Sequence, residues 1–142
     1  MTDVPSIRAE IDEEVSTILS SSFDITVTQT AFVPHSDDTA ITFPKLDDEQ
    51  AVKLIETTVL YVDMRRSTQL SLKHDGETVA KLYSAFVRAM TKCAKAFGGE
   101  VRGIIGDRVM MLFDRNNCYA NAVNTAVLIN SVCALAFHSA SK

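Results

Sequence analysis

Two strand-like runs, Glu100 to Ile105 and Arg108 to Phe113, are separated by nothing but Gly106-Asp107. A connection that short makes a tight antiparallel hairpin, and glycine in the first central position suits a type II′ turn. The hairpin fixes the middle of the fold and puts a carboxylate, Asp107, at its tip. A second run, Thr57 to Met64, carries Asp63 near its end, and its β-branched density and length predict a strand buried on both faces. An aspartate at a strand end is ordinarily a solvated cap or turn residue. Two of them, with helical sequence between, are how a two-metal phosphoryl-transfer site looks in one dimension.

The intervening segment changes period at Arg65. Ser67 or Thr68 caps a short helix, Asp75-Gly76 breaks it, and Val79, Leu82, Tyr83, Phe86, Met90, Cys93 and Phe97 then fall on one helical stripe, read as core. Gly98-Gly99 ends that helix as glycine at C′ does. After the hairpin, Arg115 to Asn117 reopens a helix, which Val123, Ala126, Val127, Asn130, Cys133, Leu135 and Phe137 carry nearly to the C-terminus. Strand, helix, helix, hairpin, helix predicts an α+β layer architecture, a sheet covered by helices on one face. Setting the strand that ends in Asp63 beside the hairpin would bring both carboxylates to one edge of the sheet, although register cannot be read from sequence.

Upstream, Ile7, Ile11, Val15 and Ile18 recur at helical spacing, with Asp12, Glu13 and Glu14 on the other side. Phe23, Ile25 and Val27 alternate with polar residues, which predicts a half-buried strand or extended arm, and Pro34 to Thr39 is turn and loop chemistry. Residues 1–50 therefore form an N-terminal helix and extended arm that packs on the main domain, residues 51–142, or on a partner chain.

At 142 residues the chain suits one compact domain, and a net charge of −4 argues against a general nucleic-acid binder. Cys93, Cys118 and Cys133 form no zinc-spaced pair and read as buried reduced thiols. The charged first 20 residues do not read as a signal peptide, so none is expected. The apolar tail from Val123 to Phe137 is interrupted by Asn124, Asn130 and Ser131 and falls short of the roughly 20 residues of a membrane span. The expected compartment is the cytoplasm.

Two divalent ions about 3.5 to 4 Å apart can activate one oxygen and stabilise another, and Mg²⁺ or Mn²⁺ prefer hard oxygen ligands. Asp63 and Asp107 could bridge such a pair. Past Asp63, the turn from strand into helix exposes backbone amides of the kind that bind phosphate, with Arg65 or Arg66 adding charge. Tyr61 shares the strand face of Asp63 and could serve a nucleotide or the core. Arg108, next to Asp107, could reach a phosphate or base edge or stay exposed. His35, His74 and His138 have no ligand companions, and no GxSxG elbow supports a nucleophilic triad.

With these residues in view, the sequence resembles the class III nucleotidyl cyclases. Val59-Leu60-Tyr61-Val62-Asp63-Met64-Arg65-Arg66-Ser67-Thr68 looks like that family's first metal motif, and Gly98-Gly99-Glu100-Val101 through Ile105-Gly106-Asp107 to Leu112-Phe113 like its second. The resemblance covers residues 55 to about 135 and implies a ferredoxin-like or palm-like sheet. It also implies that Asp63 and Asp107, with the backbone carbonyl of Met64, hold two Mn²⁺ or Mg²⁺ ions. The ribose 3′-hydroxyl would attack the α-phosphorus in line, releasing pyrophosphate and a 3′,5′-cyclic nucleotide. Where purine cyclases place a base-reading Lys or Glu, this chain has Gly103. Tyr61, Asp63, Met64, Arg65, Ser67 and Thr68 with the Gly106-Asp107-Arg108 tip look instead like the pyrimidine cyclases of bacterial Pycsar anti-phage systems, as does the arm from Phe23 to Pro44. By that likeness Tyr61 and Arg108 contact the nucleotide, Arg65, Ser67 and Thr68 bind substrate, and UTP is favoured over CTP. The product would be a second messenger for a downstream effector, made by a homodimer.

The family continues past its third helix with strands that complete the site across the dimer, so the domain is expected to be C-terminally truncated here. The alternatives are a non-catalytic cyclase-like module that dimerises and binds nucleotide, a purine cyclase, and a palm-like nucleotidyltransferase.

Overall fold

The computed structural model describes residues 3–35, 37–38 and 49–134. They fall into two units, one from the chain up to Thr30 with Pro34–Ile55, the other from Ala31–Val33 with Glu56 onward.

In the first unit, helix α1 (Val4–Ile18) starts at Asp3, whose carboxylate accepts the Ser6 amide at 3.0 Å, with Pro5 in the first turn where its missing N–H costs nothing. The expected apolar stripe forms, and Ile7, Ile11, Val15 and Ile18 along it are all exposed. Strand β1 (Asp24–Thr30) pairs in parallel with β2 (Glu49–Ile55), Asp24 opposite Glu49 and Thr30 opposite Ile55. Two expectations change here. Strand β2 was not anticipated, and β1 is not half-buried, since Ile25 and Val27 are exposed. A sheet of two strands offers its residues no covered face of the kind that alternation implies. Of the Pro34 to Thr39 loop, Ser36 and Thr39 lie outside the described residues.

The second unit holds β3 (Thr58–Asp63), α2 (Ser67–Lys73), α3 (Gly76–Ala96), β4 (Gly99–Ile105), β5 (Arg108–Phe113) and α4 (Cys118–Val132). The element order and the α+β architecture match the sequence expectation. The three strands form an antiparallel sheet in the order β3-β5-β4. Its β4–β5 hairpin closes through Gly106-Asp107, with φ +60° at Gly106 and no positive φ at Asp107, as a II′ turn requires.

Central β5 sends Val109, Met111 and Phe113 into the core, each fully buried, against Phe86, Met90, Cys93 and Ala94 of α3 and Cys118, Ala122 and Ile129 of α4. The α3 stripe thus packs as its spacing predicts, Val79, Leu82, Tyr83 and Phe97 being half-buried at its margins. Helix α4 differs. Its buried line is Cys118, Ala122, Thr125 and Ile129, while Val123 and Val127 point to solvent. An apolar helix with few charges gives little contrast between faces, so its rotation cannot be read from hydropathy. The buried Thr125 hydroxyl is satisfied by the Asn121 carbonyl at 2.8 Å. Leu135 and Phe137 lie outside the described residues.

Strand β3 is also corrected. Rather than being buried on both faces it is an edge strand covered on one, with Leu60 and Val62 half-buried and Val59, Tyr61 and Asp63 exposed. Among the described residues the helices lie on a single side of the sheet, and its other face carries the residues of interest.

Gly99 is required by a close approach. A Cβ there would lie 2.8 Å from Cε1 of Phe113 and 3.1 Å from the Ala94 carbonyl oxygen. Gly99→Ala is expected to cost about 1–3 kcal/mol, the usual penalty of overpacking. Urea unfolding of the variant beside the parent checks it, and an unchanged midpoint would contradict this packing.

All three cysteines are free thiols; Cys93 and Cys118 are buried and Cys133 half-buried. Among the described residues no helix is long and apolar enough to cross a membrane.

Candidate active site

The β3·β5 ladder puts Asp63 directly opposite Arg108. One step further the Met64 amide donates to the Asp107 carbonyl at 3.3 Å, tying the hairpin tip to the end of β3. Asp63 and Asp107 therefore share one corner of the sheet, as pairing this strand with this hairpin demands. The Arg108 guanidinium closes the group, its Nε donating to Asp63 Oδ2 at 3.2 Å. Both partners remain about half exposed, 58% for Arg108 and 50% for Asp63, so solvent and ions reach them.

The Ser67 hydroxyl does most to hold the Asp107 carboxyl below its usual range, followed by the Asp107 backbone amide; these outweigh desolvation, and the nearby Arg108 charge adds less. The lowered pKa keeps Asp107 ionised to more acid pH than an ordinary aspartate. What these contacts contribute is present above the ordinary aspartate range and is lost as pH falls through the lowered value.

On the open face the side chains stand in rows across the strands. Asp63, Arg108 and Ile105 form one row, and Tyr61, Met110 and Gly103 the next. Register shifts by a residue between Val101 and Gly103, a bulge that returns Gly103 and Ile105 to this face. The Tyr61 hydroxyl donates to the Met110 sulfur at 2.9 Å, a weak acceptor that a better one can replace.

Of the residues singled out from sequence, Asp63, Asp107, Arg108 and Ser67 converge, and Tyr61 stands one row away. Met64 contributes its amide to the corner while its side chain packs against the core. Arg65 lies in the turn after β3 and Thr68 in the first turn of α2, both exposed. Neither Ser67 nor Thr68 caps α2, contrary to expectation. The N-cap is Arg66, in the left-handed region at φ 63°, with no side-chain capping bond. Ser67 is instead the first helical residue, near enough to Asp107 that its hydroxyl is the main influence lowering that carboxyl's pKa. The Arg108–Asp63 ion pair was invisible in sequence because it depends on strand register.

The donor chemistry fits hard divalent cations. Two aspartates meet at one solvent-reachable corner, and one of them already holds a cationic group. Among the described residues no three His, Cys, Asp or Glu side chains gather as a metal cluster. Backbone carbonyl, water and phosphate oxygens would complete each coordination shell.

No protein-family model matches the chain. It is 30% identical over 105 residues to a uridylate cyclase of Burkholderia cepacia, across 74% of this chain and 44% of that one. It is 31% identical over 75 residues to a cytidylate cyclase of Staphylococcus aureus, across 49% of this chain and 18% of that one. The chain thus spans less than half the length of these curated relatives. Among solved structures, a bacterial light-regulated adenylyl cyclase superposes with a TM-score of 0.52 at 28% identity, over 54% of this chain and 40% of that one.

Proposed function

We propose that this chain, which carries a class III nucleotidyl cyclase domain similar to uridylate and cytidylate cyclases, converts a pyrimidine ribonucleoside triphosphate to its 3′,5′-cyclic monophosphate and pyrophosphate. The observation that carries this reading is the corner where β3 and the hairpin bring Asp63 and Asp107 together beside Arg108. Two divalent ions, Mn²⁺ or Mg²⁺, would supply activation of the attacking hydroxyl and neutralisation of the departing phosphates. Asp63, Asp107 and the Met64 carbonyl would hold that charge in place, with Ser67 helping to keep the Asp107 carboxyl ionised. Arg108 meets the triphosphate or the base edge, and Arg65, Ser67 and Thr68 line the turn where phosphate oxygens approach.

Base choice belongs to the neighbouring row. Gly103 offers no side-chain donor or acceptor, and a Cβ there would touch only the Met110 side chain, at 3.6 Å, an ordinary contact. The backbone does not demand glycine at this position, so its bareness serves the ligand. A base can lie over Met110 beside the Tyr61 ring, and UTP is favoured over CTP. Val59, Tyr61 and Ile105 are exposed on this open face at 47%, 59% and 79%, which supports a second copy of the chain covering the site. The cyclic nucleotide would act in the cytoplasm as a signal of bacterial anti-phage defence, read by a downstream effector.

Incubation with each of the four ribonucleoside triphosphates and Mn²⁺, followed by mass spectrometry, tests the reading. Cyclic UMP is the expected main product. Cyclic AMP or GMP in its place would overturn the base assignment, and nucleotide binding without any product would favour a sensor module.

A further inference from the structure

We propose that Arg108 is a latch on the metal site: in the resting protein its guanidinium occupies the place of a cation at Asp63, and divalent metal must displace it, releasing it toward the nucleotide. This rests on the two-metal reading of the same corner. Three observations carry it. The Arg108 Nε lies 3.2 Å from Asp63 Oδ2, so a carboxylate expected to hold metal is already paired. The pairing is built in by register, since the two residues are directly opposite in the ladder, where cross-strand side chains meet without backbone movement. Arg108 is also 58% exposed, so a rotation of its side chain alone frees Asp63.

Release costs little, because an exposed ion pair shifts an equilibrium by a few-fold at most. The displaced guanidinium then carries an unpaired charge at the hairpin tip, next to where the triphosphate would sit. Metal and nucleotide are thereby coupled through one side chain: metal alone has to break the pair, whereas a bound triphosphate offers Arg108 a replacement partner.

The test is Mn²⁺ binding without nucleotide, followed by the electron paramagnetic resonance of free Mn²⁺. Arg108→Gln is expected to bind Mn²⁺ about three- to five-fold more tightly than the parent, while Arg108→Lys stays near the parent because it keeps the charge. The gain should vanish when Asp63→Asn is combined with Arg108→Gln. A second measurement avoids substitution: Mg²⁺ added to the ¹⁵N-labelled parent should shift the Arg108 Nε–H resonance. If Asp63→Asn abolishes Mn²⁺ binding but Arg108→Gln leaves it unchanged or weaker, the latch is refuted and the metal site stands. An Nε–H resonance that ignores saturating Mg²⁺ refutes the latch as well. Should the parent bind Mn²⁺ no better than Asp63→Asn, the metal reading fails and takes the latch with it.

Discussion

Asp63→Asn and Asp107→Asn are each expected to lower cyclic-nucleotide formation by about a thousand-fold or more. Charge neutralisation around a transferring phosphoryl group is worth several kcal/mol, and each 1.36 kcal/mol is a factor of ten in rate. The isosteric amide keeps the shape of the corner and removes the negative charge, so folding should be spared. Both side chains are at the surface: Asp63 is half exposed, and Asp107 stands in the turn of the hairpin. Asp107→Asn retains the backbone bond from Met64, because that bond uses the Asp107 carbonyl. Asp63→Asn leaves the Arg108 guanidinium with a neutral partner. Initial rates with UTP and Mn²⁺, read by chromatography of the cyclic product, decide the matter. Activity within ten-fold of the parent in either variant would contradict a mechanism in which both carboxylates hold metal.

Much of this corner was legible because short-range rules govern its parts. Only two residues separate β4 from β5, and Gly106 can adopt the positive φ of a II′ turn, so the Asp107 tip followed from local chemistry. The α3 stripe followed from period alone. What stayed hidden depends on which elements become neighbours. The apolar run of β3 predicts burial on both faces, yet among the described residues helices cover one side only and the strand lies at the sheet edge, so Tyr61 and Asp63 face outward. In α4 the buried line runs through small and polar residues, Ala122 and Thr125, while Val123 and Val127 face solvent; hydropathy gives no clear rotation for so uniformly apolar a helix. Ser67 has the composition of a cap, and only the fold shows the helix starting on it with Arg66 in the cap position. Strand β2 escaped because its sequence, Glu49-Gln50-Ala51-Val52-Lys53-Leu54-Ile55, alternates weakly and pairs with a distant strand in parallel.

The largest effect on stability is expected at Phe113. Its ring is fully buried beneath α3 and α4, and Gly99, opposite it in the ladder, leaves no room for another side chain between ring and strand. The backbone there is tied in twice by Thr57, whose hydroxyl donates to the Phe113 carbonyl at 2.6 Å and accepts its amide at 3.3 Å. These bonds hold the backbone in place, so the strand cannot collapse into the void that a truncated side chain leaves. Phe113→Ala is therefore expected to cost about 3–5 kcal/mol, a large share of the roughly 5–15 kcal/mol that stabilises an ordinary domain. Phe113→Leu, which refills most of the volume, should cost less than Phe113→Ala. Urea unfolding followed by far-UV circular dichroism measures both, and a loss below about 1 kcal/mol for the alanine variant would mean the core does not close on this ring. The consequence reaches the corner. Phe113 stands at the opposite end of β5 from Arg108, and β5 is the strand that both β3 and β4 require as neighbour. Loosening its anchored end frees the register that sets Asp63 against Arg108, so Phe113→Ala should weaken Mn²⁺ binding even at temperatures where the protein remains folded.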